Sequence, residues 1–237
     1  MEIKIIFEDN HLLVVEKPAN MPTQSDSSGD LDLLSYLKND LKNRYQKPGN
    51  VYLGLIHRLD RPVGGVMVFA KTSKAASRLS AQIREGGFGK HYFAVVRGYL
   101  ATDQGRLTNY LVKDFGRNVV SVVAKPIPGA KEAILDYGVV GKREQLSLLK
   151  IVLGTGRSHQ IRVQLAAIGH PLYGDQKYGS RLNHPGEQLA LFSFELQFQH
   201  PTTKEYLEFK ASPSLVYPWI IFKDLLKVTR NDQEGFS

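Results

Sequence analysis

The residues best suited to chemistry lie in one stretch, from His57 to Gly65, which reads His-Arg-Leu-Asp-Arg-Pro-Val-Gly-Gly. Charged side chains are almost never fully buried unless they are paired, so this stretch is not core filling. Proline fixes one backbone torsion and glycine permits torsions closed to other residues, which predicts a tight loop opening into an apolar strand at 66–70. Asp60 is therefore a candidate catalytic carboxylate, although an ordinary ion-paired turn would have the same composition.

A second candidate stretch covers residues 154–169 and begins Gly-Thr-Gly-Arg-Ser-His-Gln-Ile-Arg. Thr155 or Ser158 can cap a helix here. His159 and Arg162 are three residues apart and share one helical face, so both can point into the same space. A surface helix with solvated His and Arg is the simpler alternative.

Composition limits what these residues can do. The chain has 237 residues, 42% of them hydrophobic, no cysteine and a formal net charge of +8. Disulfides and thiolate metal sites are excluded, and the positive charge favours a polyanionic partner, with nucleic acid the leading candidate. The sequence has no apolar run of membrane-spanning length and no signal-peptide pattern. We therefore expect a cytoplasmic protein that does not associate with a membrane.

The sequence also predicts the main helices and strands that would position these residues. Residues 3–7 and 12–16 predict a hairpin, and the spacing of Leu31, Leu34, Leu37 and Leu41 predicts a helix that Asp30 could cap. A helix is expected at 74–85, and another is expected to begin at Ser212. Further strands are expected at 90–97, 119–124, 132–140, 146–153, 189–198 and 205–210. One domain over residues 1–237 is expected, two lobes about a cleft are compatible with it, and residues 231–237 should fray.

Several of these stretches together resemble the RluA-type family of RNA pseudouridine synthases. His57 to Asp60 match the family's central motif. Further matches, in the family's order and spacing, are Val15-Glu16-Lys17-Pro18, residues 90–98, residues 156–162, Gly169-His170-Pro171 with Gly174-Asp175 and Tyr178-Gly179, and residues 196–201. The chain departs from the pattern at Val63-Gly64 (usually Thr-Ser), Ser158 (usually Thr), Gln164 (commonly His) and Leu191-Phe192-Ser193 (usually Leu-His-Ala).

The resemblance implies an α+β pseudouridine synthase fold, with a long, bent, mostly antiparallel mixed sheet, flanking helices and a central catalytic cleft. It implies conversion of uridine to pseudouridine in structured tRNA or ribosomal RNA, with no cofactor, no metal and no obligatory protein partner. Many relatives carry an S4-type RNA-binding domain in front of the catalytic domain; because the first hairpin is expected to begin at Ile3, no such domain is expected here.

The resemblance also assigns roles. Asp60 would be the catalytic carboxylate, attacking the glycosidic carbon or taking a ribose proton; Arg162 would pair with it, and Tyr92 would stack on the target uracil. Leu191 would form part of the apolar floor of the base pocket, and Arg58 would occupy the space that the flipped base leaves. The basic residues expected to contact RNA are Arg58, Arg61, Lys71, Arg157, His159 and Lys177.

Two other functions remain open at this stage. His57, Asp60, His159, His170 and Asp175 could ligate a metal in an RNA hydrolase. Alternatively, the chain could be a basic RNA-binding protein that has the same fold and no catalytic activity.

Overall fold

The secondary structure alternates hairpins with short helices. The computed structural model describes residues 2–226, so the expected fraying at 231–237 lies outside the described residues. The strands are β1 (Lys4–Glu8), β2 (Leu12–Lys17), β3 (Gly54–Leu55), β4 (Gly64–Ala70), β5 (Gly89–Arg97), β6 (Gln104–Asp114), β7 (Val119–Val123), β8 (Lys131–Arg143), β9 (Leu146–Leu153), β10 (Leu191–Gln199) and β11 (Tyr206–Lys210). The helices are α1 (Leu33–Arg44), α2 (Ser73–Glu85), α3 (Gln160–Ala167) and α4 (Lys223–Leu226), with a 3-10 helix at Trp219–Phe222.

The described chain divides into two compact units. The first contains the chain up to Lys90 together with Ser193–Ala211, and the second contains His91–Phe192 and the described residues from Ser212 onward. In the first unit the strand order is β1-β2-β4-β10, with β3 beside β4 and β11 beside β10; in the second it is β5-β9-β8-β6-β7. The β1–β2, β2–β4, β3–β4 and β10–β11 pairs are antiparallel, as are all the neighbouring pairs of the second unit. The predicted α+β class with mostly antiparallel pairing is confirmed.

Apolar runs form the core of each unit. In the first unit, Leu12–Val15 of β2 and Val66–Ala70 of β4 have no accessible surface, as expected for strands covered on both faces. In the second unit, β5 and β9 contribute similar runs, and α3 packs on a smaller cluster through Val163. No helix within residues 2–226 is long and apolar enough to span a membrane.

Helix α2 shows how closely local sequence sets an element. The Thr72 side chain accepts a hydrogen bond from the backbone N–H of Ala75, and Gly86 ends the helix in the left-handed conformation. Ala75 and Leu79 face the core. The helix expected at 74–85 is confirmed, because both ends carry the residues that cap helices best.

Other expectations were wrong in detail. Helix α1 is capped by Asp32, whose carboxylate accepts from the Ser35 N–H, instead of Asp30, and Leu31 is exposed as a result. Helix α3 has His159 at its N-terminal cap, with neither Thr155 nor Ser158 in that role. Strand β6 was missed, and the helix expected from Ser212 is replaced by a loop that ends in the 3-10 helix at Trp219–Phe222.

Candidate active site

Asp60 lies in the loop between β3 and β4 of the first unit. The Val63 N–H donates to the Asp60 carbonyl at 3.0 Å, which closes a turn directly before β4 begins. The Asp60 side chain is half-buried and Arg58 is exposed. The predicted tight loop leading into a buried strand is therefore present, with the carboxylate at its bend.

The buried side chain of Lys17 is hydrogen-bonded to the backbone of this loop. Its side chain has no accessible surface, and Nζ donates to the carbonyls of Pro18 at 3.0 Å, Arg61 at 3.1 Å and Val63 at 2.7 Å. Three ammonium donors thus meet three carbonyl acceptors, two of them in the Asp60 turn. Burial lowers the pKa of Lys17 to about 7, while the charge of Asp60 raises that pKa and the charge of Arg61 lowers it. Sequence reasoning gave Lys17 no role, because a Lys-Pro pair at the end of a strand carries no signal of its own.

Two further contacts fix the backbone on either side of Asp60. Thr23 Oγ1 donates to the Leu59 carbonyl at 2.8 Å, in a buried position. Gly65 has φ +126°, and a Cβ at this residue would lie 2.2 Å from the Ser193 carbonyl oxygen. The family's motif usually has Thr-Ser where this chain has Val63-Gly64, so two hydroxyls are absent here. The contacts of Thr23 and Gly65 fix the loop without them.

His57 helps to orient the start of the loop. Its Nε2 accepts the Val68 N–H at 3.2 Å, so the ring proton lies on Nδ1. Burial, with a smaller contribution from the charge of Lys90, lowers the pKa of His57 to about 3. The ring is therefore neutral at physiological pH, and it packs against Phe88 with the ring centroids 5.8 Å apart.

The other basic residues predicted for this region differ in their surroundings. Arg61 donates to the Asp30 carboxylate and to Ser28 Oγ, in exposed contacts. Lys71 donates to the Glu8 carboxylate at 2.7 Å and is largely buried. An RNA phosphate would have to compete with these acidic partners for either cation.

In the second unit, the predicted site residue Arg162 forms a buried ion pair with Asp175. Its Nε and Nη2 donate to the two carboxylate oxygens of Asp175 at 2.8 and 2.9 Å, and both side chains are buried. Asp175 Oδ1 also accepts the backbone N–H groups of Lys177 and Tyr178. Asp175 therefore sets the orientation of the guanidinium group. The sequence placed this carboxylate in a matching motif and among possible metal ligands, and neither interpretation predicted this role.

Tyr178 contacts both His159 and Arg162, the two residues that were predicted to point into the same space. Its hydroxyl lies 2.7 Å from His159 Nδ1, and its ring centroid lies 5.2 Å from Arg162 Cζ. The same hydroxyl accepts the Val120 N–H of β7 at 2.9 Å. His159 and Arg162 thus point into the same space, and Tyr178 is an unpredicted member of the group.

Polar side chains on the buried face of α3 hold the helix to the sheet. Gln164 Nε2 donates to Asn109 Oδ1 at 2.8 Å and contacts the carbonyls of Leu107 and Ala133 at 3.3 and 3.2 Å. Gln160 bonds Thr155 through its side-chain oxygen and the neighbouring β8 backbone through its nitrogen. The amide nitrogen of the Gln that replaces the commoner His therefore helps to position the helix, while its Oε1 is buried without a hydrogen-bond partner among the described residues.

The remaining predicted residues of the second unit fall into two groups. Tyr92 on β5 and Leu191 at the start of β10 are each 6% exposed. Arg157 and Lys177 are exposed, and they donate to the carbonyls of Glu132 and Asn118 at 2.9 and 2.8 Å. The first pair has the burial expected of a base pocket, and the second has the exposure expected of phosphate contacts.

Each unit thus brings together its own subset of the predicted residues. The first holds Arg58, Asp60, Arg61 and Lys71, and the second holds Tyr92, Arg157, His159, Arg162, Lys177 and Leu191. Within residues 2–226, no group of three or more His, Asp or Glu side chains is arranged to hold a metal ion. Four of the side chains considered as ligands have other partners: His57 bonds Val68, His159 bonds Tyr178, His170 bonds the Arg97 carbonyl and Asp175 bonds Arg162.

Comparison with known proteins gives a consistent result. Residues 11–167 match the family model described as RNA pseudouridylate synthase. The chain is 35% identical to the "Uncharacterized RNA pseudouridine synthase YhcT" of Bacillus subtilis, over 89% of this chain and 68% of that protein. It is 32% identical to the "Ribosomal large subunit pseudouridine synthase C" of Vibrio parahaemolyticus, over 89% of this chain and 66% of the other. The structure of human "RNA Pseudouridylate Synthase Domain Containing 4" superposes with a TM-score of 0.76 at 22% identity, covering 94% of this chain and 93% of that one.

Proposed function

Since the chain belongs to the RNA pseudouridylate synthase family and is therefore an isomerase acting on RNA uridine, we propose that Asp60 is its catalytic carboxylate and ribosomal RNA its substrate. Neither the hydrolase nor the non-catalytic alternative has support from these matches. The observation that carries the assignment of Asp60 is the fixed turn around it. A buried ammonium and a buried hydroxyl hold the carbonyls before and after this residue.

The reaction needs a carboxylate beside the sugar. The N1–C1′ bond of the target uridine breaks and its electron pair leaves with the uracil. The base then turns, C5 bonds to C1′, and the C5 proton is released to solvent. Asp60 either attacks C1′ and is later displaced by C5, or takes a ribose proton as the base departs and returns it when C5 bonds to C1′. Both routes require the ionised carboxylate and end with the same bonds.

Arg162 is proposed to stabilise that ionised form. A nearby opposite charge favours the charged state of a carboxyl group, and the planar guanidinium can bind two acceptors at once. The Asp175 pair engages Nε and Nη2. We propose Asp175 as the residue that orients the arginine.

Tyr92 and Arg58 are proposed to handle the base. A target uridine has to leave the stack, which costs a few kcal/mol. Tyr92 would stack on the extruded uracil, with Leu191 beneath it, and the low exposure of both residues suits a site from which water is excluded. Arg58 is exposed on the loop two residues before Asp60 and would occupy the vacated space. Arg61, Lys71, Arg157, His159 and Lys177 are proposed as contacts to the RNA backbone.

Ribosomal RNA is favoured over tRNA by the relatives. The Vibrio protein, at 32% identity, carries a name that specifies the large ribosomal subunit. We therefore propose large-subunit ribosomal RNA as the target, processed in the cytoplasm, and a single catalytic domain as the organisation of the chain. The Arg61-Pro62 pair, which resembles tRNA-modifying relatives, is the argument for tRNA.

Tritium release tests both parts of the proposal. The protein would be incubated, with a chelator present, on large-subunit ribosomal RNA and tRNA transcripts that carry uridine tritiated at C5. The wild type should release tritium from the ribosomal transcript, because bonding through C5 expels that hydrogen. Asp60→Ala should abolish the release. Asp103→Ala removes a carboxylate that is 77% exposed and paired with Lys142, and should leave it unchanged.

The outcomes separate the two claims. Release by Asp60→Ala at the wild-type rate would show that this carboxylate is not catalytic. Release from tRNA alone would keep the role of Asp60 and overturn the choice of substrate. Strand cleavage without tritium release, in a parallel reaction that lacks the chelator, would return the metal-dependent hydrolase.

A further inference from the structure

The hairpin of β6 and β7 carries an unusual residue at its tip. Asp114 and Val119 are the last paired residues of the two strands, so residues 115–118 form the connecting turn. The Phe115 side chain in this turn is 85% exposed. A large aromatic side chain gains free energy by leaving water, so a ring this exposed is available to stack on a partner.

The tip is held in a fixed conformation. Asp114 Oδ1 accepts the Arg117 N–H at 3.0 Å, which closes the turn, and Lys177 Nζ donates to the Asn118 carbonyl at 2.8 Å. One residue into β7, the Val120 N–H donates to the Tyr178 hydroxyl. Tyr178 contacts His159 and Arg162, so the hairpin that presents Phe115 is built on the same support as the proposed active-site arginine.

The charges around the ring define what it can bind. Lys113 Nζ lies 5.3 Å from the centre of the Phe115 ring, and the Arg117 side chain is 86% exposed. Residues 113–131 contain four basic side chains and one acidic side chain. Exposed aromatic rings with basic side chains nearby are used by proteins to bind unpaired bases and the phosphates beside them.

We propose that the hairpin tip (residues 113–118) is an RNA-binding element that extends the substrate contact beyond the target uridine. Phe115 stacks on an unpaired base of the same RNA, and Lys113 and Arg117 bind the flanking phosphates. The proposal rests on the proposed function in that the ligand is the substrate RNA. A protein partner fits less well, because one ring flanked by two cations is not a continuous apolar patch.

The first test compares side chains at Phe115. Kd for the ribosomal transcript would be measured on Asp60→Ala protein, to prevent turnover, and KM and kcat on the otherwise wild-type chain. Phe115→Ala should weaken binding about tenfold and act through KM, because stacking on one base is lost. Phe115→Tyr should restore binding, and Phe115→Leu, which is apolar but cannot stack, should not. Equal binding by Phe115→Ala, or full rescue by Phe115→Leu, would overturn the stacking contact.

Tyr206 provides the matched control. It is an aromatic side chain that is 65% exposed on β11, and its pKa is raised by partial desolvation and also by the nearby charges of Glu208 and Glu195. These acidic neighbours disfavour RNA, so Tyr206→Ala should bind the transcript as the wild type does. A loss equal to that of Phe115→Ala would assign the effect to exposed aromatic surface in general and would contradict the proposal.

A spectroscopic readout separates stacking from folding effects. The chain has a single tryptophan, Trp219, which is buried. In Phe115→Trp, RNA should quench the added fluorescence through stacking, while the same RNA should leave Tyr206→Trp unquenched. Lys113→Ala and Arg117→Ala should each reduce the slope of log K against log salt by about one. Unquenched Phe115→Trp in a complex with RNA would overturn the proposal.

The two proposals fail separately. If the wild type releases no tritium but binds RNA through Phe115, the proposed catalysis fails and the binding element stands. If the wild type releases tritium and Phe115→Ala does so with the same KM, the synthase assignment stands and the binding element fails.

Discussion

Lys17 gives the sharpest test of how the Asp60 turn is held. Its side chain has no accessible surface, and burial lowers its pKa from 10.5 to about 7. Between these two pH values the unfolded chain keeps a proton that the folded chain has lost. The free energy of unfolding should therefore rise with pH across this window. Below about pH 7 the amine is protonated in both states, and the full cost of burying the charge is present.

The size of the effect follows from that difference. Each unit of difference between the pKa values of the folded and unfolded states changes the free energy of unfolding by about 1.4 kcal/mol. Between pH 7 and pH 9 the wild type should gain about 2 kcal/mol of unfolding free energy relative to Lys17→Met, in which the apolar side chain of similar length does not titrate. All other titrating groups are shared by the two proteins, so their contributions cancel in the comparison.

Urea unfolding followed by far-UV circular dichroism at pH 7, 8 and 9 would measure this gain. Lys4→Met is the control, since Lys4 lies on the neighbouring strand β1 and is exposed. Its unfolding free energy should keep a constant offset from that of the wild type. If the curves for Lys17→Met and the wild type run parallel instead, the Lys17 pKa is not lowered, and the account of a buried ammonium near neutrality is refuted.

Two further substitutions test the fixed geometry of the site. Asp175→Asn should lower the free energy of unfolding by about 3–5 kcal/mol and reduce tritium release, because it leaves the Arg162 charge buried without its carboxylate. Asp136→Asn, which breaks an exposed pair of the same two-bond geometry, should change neither in the same assays. Gly65→Ala should prevent folding, judged by circular dichroism of the purified protein, because its Cβ would collide with the Ser193 carbonyl at a backbone φ of +126°. A folded Gly65→Ala protein at wild-type stability would contradict that close approach.

Much of the fold could be predicted because local signals and burial agreed. The Thr72 cap, the Gly86 stop and the apolar spacing between them specify α2 without reference to the rest of the chain. Helix α1 shows the limit of such signals. Two acidic residues, Asp30 and Asp32, could each cap it, and the choice depends on which start buries Leu33, Leu37 and Leu41 together. Strand β6 was missed because its residues alternate between exposed and half-buried positions and depend on both neighbouring strands for their bonds.

The candidate site likewise contains some residues that the sequence predicted and others that it did not. Charged residues in a Gly- and Pro-containing stretch indicated Asp60, and a helical spacing of three indicated that His159 and Arg162 converge. The residues that hold them in place were not predictable. Lys17 is 44 residues from Arg61 and Thr23 is 36 residues from Leu59, and a pairing at such separations follows from the sheet, not from local composition. Asp175 was visible in the sequence, but its bond to Arg162 was not.

The energetics of these supports argue that they are kept for positioning. Burying a charge usually costs more than its partners return, and well-packed apolar residues of similar volume would often give a more stable protein. Yet each unit buries a cation: Lys17 with three carbonyl acceptors in the first, and Arg162 with both oxygens of Asp175 in the second. Lys17 fixes the Asp60 turn and Asp175 fixes the Arg162 guanidinium, and both the turn and the guanidinium are assigned to the reaction. A positioning role therefore accounts for their burial better than stability does.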